Sequence, residues 1–189
     1  MYKSITVKYI EQEPLSRIQW VYNILEGKAE TEQVIHRDDN QLSGFVLLPD
    51  FKWDQTSLSN LYYVAFVNDK AIRTLRDING SNLNVLKNIK SKAAEAISSK
   101  HPQFDTNQLS FYVHYQPSYY LFHVHITNVH IESAGNRAGR AHLLDTIIDN
   151  VENIDPNYYQ KASIPIILGE SHPLYLKFTE SSQEEFKKH

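Results

Sequence analysis

SFYVHYQPSYYLFHVHITNVHIE, residues 110–132, decides the fold of this chain. The pattern predicts two strands joined by a turn at residues 116–118, where proline and serine favour a chain reversal. Along the second strand, residues 119–130, side chains alternate between two faces of a sheet. One face would carry Tyr119, Leu121, His123, His125 and Thr127, whereas the other is mostly apolar. We therefore expect His123 and His125 side by side, with His114 from the preceding strand close to them.

The rest of the chain predicts helices separated by strands. Residues 83–100 and 140–153 have the apolar spacing of amphipathic helices, and a shorter helix is expected at residues 15–28, ending at Gly27. Further strands are expected at residues 30–36, 45–48, 61–67 and 164–168. Residues 1–14 contain a strand-like ITVKYI and would form a lead segment before one domain at residues 15–189. Because strict β-α-β alternation is lacking, the predicted class is α+β, an antiparallel sheet with two main flanking helices.

Composition excludes several classes of site. The 189 residues contain no cysteine, which excludes a thiol nucleophile, a disulfide framework and a cysteine-type zinc site. The net charge of −3 and the pI near 6.3 provide no overall basic field for long nucleic acid, although local cations suffice for a small phosphate ligand. No apolar run resembles a signal peptide or approaches the ~20 residues of a membrane span. We expect a soluble intracellular protein.

The histidine pair predicts phosphorus chemistry. A neutral imidazole attacks phosphorus and is a good leaving group, so it divides hydrolysis of a phosphoanhydride into two easier displacements. Donors must then hold the phosphate charge, and the nearby candidates are Ser118, Tyr119, His125 and Arg140. The rival hypothesis is a zinc site in which His-x-His supplies two imidazoles and His114 a third. We favour the nucleophile because the neighbouring sequence offers no convincing carboxylate or thiol ligand.

Two other stretches suggest recognition of a base. Trp20 with Glu30, and residues 49–53 (PDFKW), combine aromatic planes with carboxylates. An aromatic face stacks on a base and attracts a cation, and a carboxylate pairs with the N–H edge of guanine. Lys52 would meet a phosphate as a point charge. Judged from the residues alone, the favoured alternative is that Trp20 anchors the core and that residues 50–52 form an exposed turn.

Several long segments, in one order, resemble the scavenger mRNA decapping enzyme family of the histidine-triad (HIT) superfamily. They are WVYNILEGKAE (20–30), GFVLLPDFKW (44–53), IRTLRD (72–77), HYQPSYYLFHVHI (114–126) and RAHLL (140–144). The resemblance spans about residues 15–168 and implies a HIT-like fold. It also implies hydrolysis of m7G cap dinucleotide, or of short capped RNA, to 7-methyl-GMP and a nucleoside diphosphate in mRNA decay, with neither metal nor cofactor.

The resemblance assigns a role to each candidate residue. His123 falls on the middle histidine of the motif, which forms the nucleotidyl intermediate, and His125 falls on the third. Trp20 and Phe51 would enclose the 7-methylguanine, whose edge Glu30 and Asp50 would recognise. The implied phosphate contacts are Lys52, His114, Ser118, Tyr119, His125 and Arg140.

Two departures from the family pattern leave alternatives open. Leu121 stands where the first motif histidine is expected, and about fourteen residues precede the resemblance, so the family's swapped N-terminal domain is expected to be absent. The alternatives are a catalytically weakened cap-binding or regulatory paralogue, and a general HIT hydrolase of dinucleoside polyphosphates or phosphoramidates. The family further implies a homodimer that pairs through the helix at residues 83–100. A cytoplasmic location is expected, with the nucleus as a second compartment.

Overall fold

A six-stranded antiparallel sheet organises the fold, with the strand order β1-β2-β3-β5-β4-β6. The structure, a computed structural model, describes residues 2–186 and the side chains of residues 2–181. Met1 and residues 187–189, the ends of the predicted lead and domain, lie outside that range. The strands are β1 (His36–Arg37), β2 (Phe45–Pro49), β3 (Tyr62–Val67), β4 (Leu109–His114), β5 (His123–Asn128) and β6 (Ala141–Leu143).

Helices follow the apolar patterns of the sequence. They are α1 (Val7–Gln12), α2 (Gln19–Leu25), α3 (Leu83–Lys100), α4 (Leu144–Asp149), α5 (Tyr158–Lys161) and α6 (Pro173–Phe186). A capping box between Asn79 and Asn82 leads into α3, which buries its predicted apolar stripe against β1, β2 and β3. Helix α2 ends before Gly27, whose φ of +67° suits glycine at a helix end. None of the described helices has the length and apolar character that a membrane crossing requires.

Strand register separates the two faces of the sheet. His123 lies opposite Phe66, and His125 lies opposite both Val64 and Tyr112, so these side chains share one face. Tyr63 points to the other face, where its hydroxyl lies 2.8 Å from Nε2 of His101, the residue that follows α3. Helix α3 therefore covers the face opposite the histidines.

The predicted strand at residues 119–130 is too long at its start. Strand β5 begins at His123, and residues 115–122 have no regular secondary structure. The side chain of Leu121 is fully buried in the hydrophobic core and precedes the strand. Pairing with both β3 and β4 fixes the strand from His123 onward, whereas the turn before it follows the packing of its apolar side chains.

Other predicted elements are also wrong. The β-branched residues within 1–14 form α1 and a π-helical turn, Tyr2–Thr6, because Tyr9 is buried against the rings of Tyr120 and His172. Residues 30–36 are mostly a turn that leads into β1, and no strand forms at residues 164–168. The predicted helix at 140–153 begins as β6, because the edge of β4 accepts a further strand there.

Candidate active site

Three imidazoles meet on the face of the sheet that α3 does not cover. His123 and His125 project from β5 and His114 from the end of β4, and all three are buried. The ring centroids of His114 and His125 lie 4.2 Å apart, and those of His123 and His125 lie 4.9 Å apart. Tyr119 stacks on His123 at 4.4 Å, and Tyr112 stacks on His125 at 5.3 Å. The rings are thus held by packing before any ligand binds.

One ring nitrogen of His123 is bonded within the part of the protein that the structure describes and the other is not. Its Nδ1 atom lies 2.7 Å from the carbonyl oxygen of Leu121, which can only accept a hydrogen bond, so the hydrogen is on Nδ1 and the lone pair is on Nε2. Burial lowers the pKa of His123 to about 4, opposed by the bond to the Leu121 carbonyl and reinforced by the charges of His114 and Lys52. At neutral pH the ring is therefore uncharged, as attack on phosphorus requires.

The other two imidazoles differ in their partners. His114 places Nε2 2.9 Å from the Gly135 carbonyl, and burial lowers its pKa to about 4. His125 places Nδ1 2.9 Å from the Tyr62 hydroxyl, while its buried Nε2 has no hydrogen-bond partner among the described residues. Burial, and then the neighbouring histidines, hold the pKa of His125 well below its usual value. His125 is also one of the residues that line the cavity beside β5.

That cavity has a volume of about 820 Å³ and collects the candidate phosphate contacts. Its lining includes the three histidines together with Lys52, Ser118, Tyr119 and Arg140. The Nε atom of Arg140 is buried without a partner in the described part of the chain, as is His125 Nε2. Buried polar groups that lack partners are costly, so a polar ligand that bonded them would remove that cost.

A second cavity, of about 520 Å³, adjoins the first and has the composition of a base pocket. It shares Trp20, Asp50, Phe51 and Tyr119 with its neighbour and adds Glu30. Trp20 is 42% exposed and Phe51 84% exposed, so both side chains are accessible to a ligand. Trp20 is therefore not a core anchor. The sequence, judged without the family resemblance, had favoured that alternative.

The two carboxylates of this pocket have different surroundings. Asp50 is buried and accepts a 2.9 Å hydrogen bond from the backbone N–H of Lys52. Burial raises the pKa of Asp50, against the opposing effects of that bond and of the Lys52 charge. Glu30 is exposed, with a φ of 53°, at the turn that replaces the predicted strand. Together they line the pocket with negative charge, which favours a cationic base.

The candidate residues named from the sequence all reach one of these two cavities, and their individual roles stay predictions. The structure also adds residues that no local motif indicated, chiefly Tyr62 and Tyr112. Their proximity to His125 depends on strand register, which local sequence does not reveal. Among the side chains that the structure describes, those of residues 2–181, no group of three or more from histidine, aspartate and glutamate is arranged to hold a metal ion.

Comparisons with known proteins agree with this architecture. Residues 19–140 match the family described as "Scavenger mRNA decapping enzyme C-term binding". The chain is 41% identical over 184 residues to an m7GpppX diphosphatase of Mus musculus, covering 97% of this chain and 53% of that protein. It is 39% identical over 180 residues to that of Schizosaccharomyces pombe, covering 95% and 59%. The chain thus spans about half the length of the curated relatives that it matches.

A solved structure shares the fold. The crystal structure of the aprataxin ortholog Hnt3 in complex with DNA superposes with a TM-score of 0.50 and 16% sequence identity, covering 88% of this chain and 92% of that chain. At that identity the likeness concerns the fold, and it confirms the predicted α+β, HIT-like class. With the family match over residues 19–140, the conclusion is that this chain belongs to the scavenger mRNA decapping enzyme family.

Proposed function

We propose that this chain hydrolyses the 5′–5′ triphosphate linkage of m7G cap dinucleotide, or of short capped RNA, to 7-methyl-GMP and a nucleoside diphosphate. One observation carries the proposal. An uncharged His123, whose Nε2 lone pair is free, lines a cavity together with cationic and hydrogen-bonding side chains suited to phosphate, and this cavity adjoins an aromatic and acidic pocket. Relatives that match almost the whole chain are named m7GpppX diphosphatases. A scavenging role in mRNA decay belongs to the same proposal.

The reaction follows from the His123 geometry. Nε2 of His123 attacks the phosphorus nearest the methylated nucleoside, an N–P bond forms, and the P–O bond to the departing nucleoside diphosphate breaks. Water then attacks the same phosphorus, the N–P bond breaks, and 7-methyl-GMP leaves with His123 restored. Lys52 and Arg140 supply fixed positive charge, and Ser118, Tyr119 and His125 supply hydrogen-bond donors. The proposed steps use the chain's own side chains and water.

Selection of the methylated base is proposed for the second cavity. Guanine methylated at N7 is cationic, and a cation is attracted to the face of tryptophan. Trp20 and Phe51 would hold the base between them, while Glu30 and Asp50 would accept hydrogen bonds from its N–H edge. The unmethylated base lacks the positive charge, so it would lose most of this electrostatic preference.

A second candidate function, cap binding with little turnover, is motivated by Leu121. The buried leucine removes a polar group that the family motif places next to the nucleophile. The carbonyl of Leu121 nevertheless makes the 2.7 Å contact with His123 Nδ1, and a backbone group does not depend on the side chain. The structure therefore favours hydrolysis over binding alone.

We further propose that two copies of the chain pair through α3 and the adjoining edge of the sheet, in the cytoplasm. Strand β1 has two residues and forms that edge, and an edge strand is where a strand of another chain can be added to a sheet. Light scattering after size exclusion would report a mass near 44 kDa for a dimer, by doubling 21.9 kDa. A mass near 21.9 kDa at micromolar concentration would contradict pairing.

The direct test of the proposed nucleophile is His123→Asn. This change keeps a polar side chain near Leu121 but removes the attacking nitrogen, so kcat should fall by about 10³-fold or more. His142→Asn is the matched control, because His142 is a half-buried histidine on β6 that lines neither cavity. Its kcat should stay within about twofold of the unmodified protein. Equal rates for His123→Asn and the unmodified protein would refute the nucleophile.

A further inference from the structure

Tyr62 contacts the site without a role in the reaction described above. It is the first residue of β3 and pairs with Thr127 of β5, which directs its ring to the face of the histidines. Its hydroxyl oxygen lies 2.9 Å from Nδ1 of His125, and the two rings meet edge to face at 5.7 Å. The side chain is thus placed to influence which nitrogen of His125 carries the hydrogen.

The two neighbouring histidines have chemically different partners. The partner of His123 is a carbonyl oxygen, which accepts and never donates, so it requires a hydrogen on Nδ1. The partner of His125 is a phenol hydroxyl, which can donate to a bare Nδ1 nitrogen. A neutral imidazole carries one ring hydrogen, so donation by Tyr62 leaves that hydrogen on Nε2 of His125.

The Tyr62 hydrogen is retained and available. Burial, followed by the nearby Tyr112 and Asp50, raises the pKa of Tyr62, so its hydroxyl stays protonated at neutral pH. Tyr112 donates its own hydrogen to Oδ1 of Asn136 at 2.8 Å. The amide of Asn136 is oriented for this, since its Nδ2 donates to the Ile131 carbonyl at 2.7 Å. Tyr112 therefore has another acceptor for its own hydrogen. The hydrogen of Tyr62 has two acceptors within reach, the Tyr112 hydroxyl oxygen and Nδ1 of His125, and donation to His125 is the arrangement that leaves a hydrogen on His125 Nε2.

The far side of His125 also favours this arrangement. Nε2 is buried and lacks a partner among the described residues, in the cavity where Arg140 Nε is likewise unpaired. Phosphate oxygens accept hydrogen bonds, so a lone pair on Nε2 would repel them, whereas an N–H would bind them. With its hydrogen on Nε2, His125 would donate a hydrogen bond to a phosphate oxygen, and this nitrogen would no longer lack a partner.

We propose that Tyr62 is a positioning residue that holds His125 with its hydrogen on Nε2, the tautomer opposite to that of His123. His123 then presents a lone pair to the phosphorus, while His125 donates a hydrogen bond to an oxygen of the same phosphate. The expected effect on catalysis rests on the proposed cap hydrolysis, whereas the tautomer of His125 is a property of the protein without ligand.

The tautomers are measurable without turnover. Proton–nitrogen NMR of the unmodified protein, labelled with ¹⁵N-histidine, distinguishes protonated from bare ring nitrogens. We expect His125 to show a protonated Nε2 and a bare Nδ1, and His123 to show the reverse. A protonated Nδ1 on His125 would overturn the proposal, whether or not the protein hydrolyses any cap.

A matched pair of variants tests the consequence. Tyr62→Phe removes the hydroxyl that faces His125, and Tyr63→Phe removes the next hydroxyl along β3, which bonds His101 at 2.8 Å on the opposite face. We expect Tyr62→Phe to lower kcat about tenfold with a smaller change in KM, and to shift the His125 hydrogen toward Nδ1. Tyr63→Phe should leave kcat and both tautomers unchanged.

The outcomes separate the two proposals. Equal losses of kcat in Tyr62→Phe and Tyr63→Phe, with the His125 tautomer unchanged, would reduce Tyr62 to a packing residue and overturn the inference. An unmodified protein without turnover would refute the proposed function, and the NMR comparison would still decide the tautomer.

Discussion

At the scale of single residues, the main feature of the site is that its three histidines are uncharged at neutral pH. Burial is the largest cause of the lowered pKa of His114, His123 and His125, and the charge of Lys52 acts in the same direction on all three. A cationic imidazole would be poorly solvated here and repelled by Lys52. The same surroundings that keep His123 uncharged leave unpaired donors for an anionic ligand.

The first prediction concerns the acid limb of the pH profile. Because the proposed nucleophile is the neutral form of His123, kcat/KM should be constant through neutrality and fall only as the pH approaches about 4, the pKa of His123 in the folded protein. The midpoint of the acid limb should therefore lie well below ~6.5, the usual pKa of histidine. Initial rates between pH 3.5 and 8 measure the limb.

Asp50 is the control for that measurement, because it is a second titratable group of the site and burial raises its pKa above the usual value of a carboxyl. Asp50→Asn removes this carboxyl and should leave the midpoint of the limb unchanged while raising KM. A midpoint near pH 6.5 in both proteins would contradict an uncharged, desolvated His123.

A second prediction concerns the missing motif histidine. Leu121→His should not increase kcat by more than about twofold, because the backbone carbonyl already holds His123 Nδ1. It should destabilise the fold by about 1–3 kcal/mol, since position 121 is fully buried and a polar ring there lacks an evident partner. Denaturant unfolding and initial rates measure the two effects.

Leu121→Met is the matched control, because it nearly conserves apolar volume. It should retain both stability and rate. A large gain of activity in Leu121→His would instead support the weakened, cap-binding hypothesis.

At the scale of elements, tight loops hold the strands that bear the site. The loop before β2 is closed by Asn68, whose amide donates to the carbonyls of Asp38 and Asn40 at 2.6 and 2.9 Å. Gly44 lies inside this loop, where an added Cβ atom would come within 2.2 Å of the Asp38 oxygen and 2.4 Å of the Asn40 oxygen. Such approaches to backbone atoms force the loop to open.

Gly44→Ala should therefore destabilise the protein by about 2–3 kcal/mol, because the displaced atoms are backbone carbonyls that also bind Asn68. Gly169→Ala is the control, since its added Cβ would meet no atom within 4 Å. Chemical denaturation of the two variants makes the comparison. Equal stabilities would show that the loop relaxes freely.

Elements with a strong period were predictable from sequence. Strands at 45–48 and 61–67 and the helix at 83–100 agree with β2, β3 and α3, because their apolar patterns match their burial. The predicted strand at residues 119–122 and the predicted helix at residues 140–143 were wrong. The packing of Leu121 and the open edge of β4 override the local pattern there. The N-terminal helix likewise depends on contacts with the distant His172.

At the scale of the whole molecule, the fold gathers distant residues into two adjoining cavities. Trp20, Phe51 and Tyr119 come from three separate segments, yet they line the same space. The resemblance to a family indicated these residues, whereas their local sequence favoured burial of Trp20. Tyr62 was not indicated by either, because its contact with His125 exists only once β3 and β5 are in register.

The most direct test of cap hydrolysis compares 7-methylated cap dinucleotide with its unmethylated analogue, each with excess chelator. The proposed chemistry uses His123, and the pocket favours a cationic base, so we expect turnover that resists the chelator and a kcat/KM at least about tenfold higher for the methylated compound. The products should be 7-methyl-GMP and a nucleoside diphosphate. Absence of turnover, with 7-methyl-GMP still quenching tryptophan fluorescence, would contradict hydrolysis and indicate a cap-binding domain.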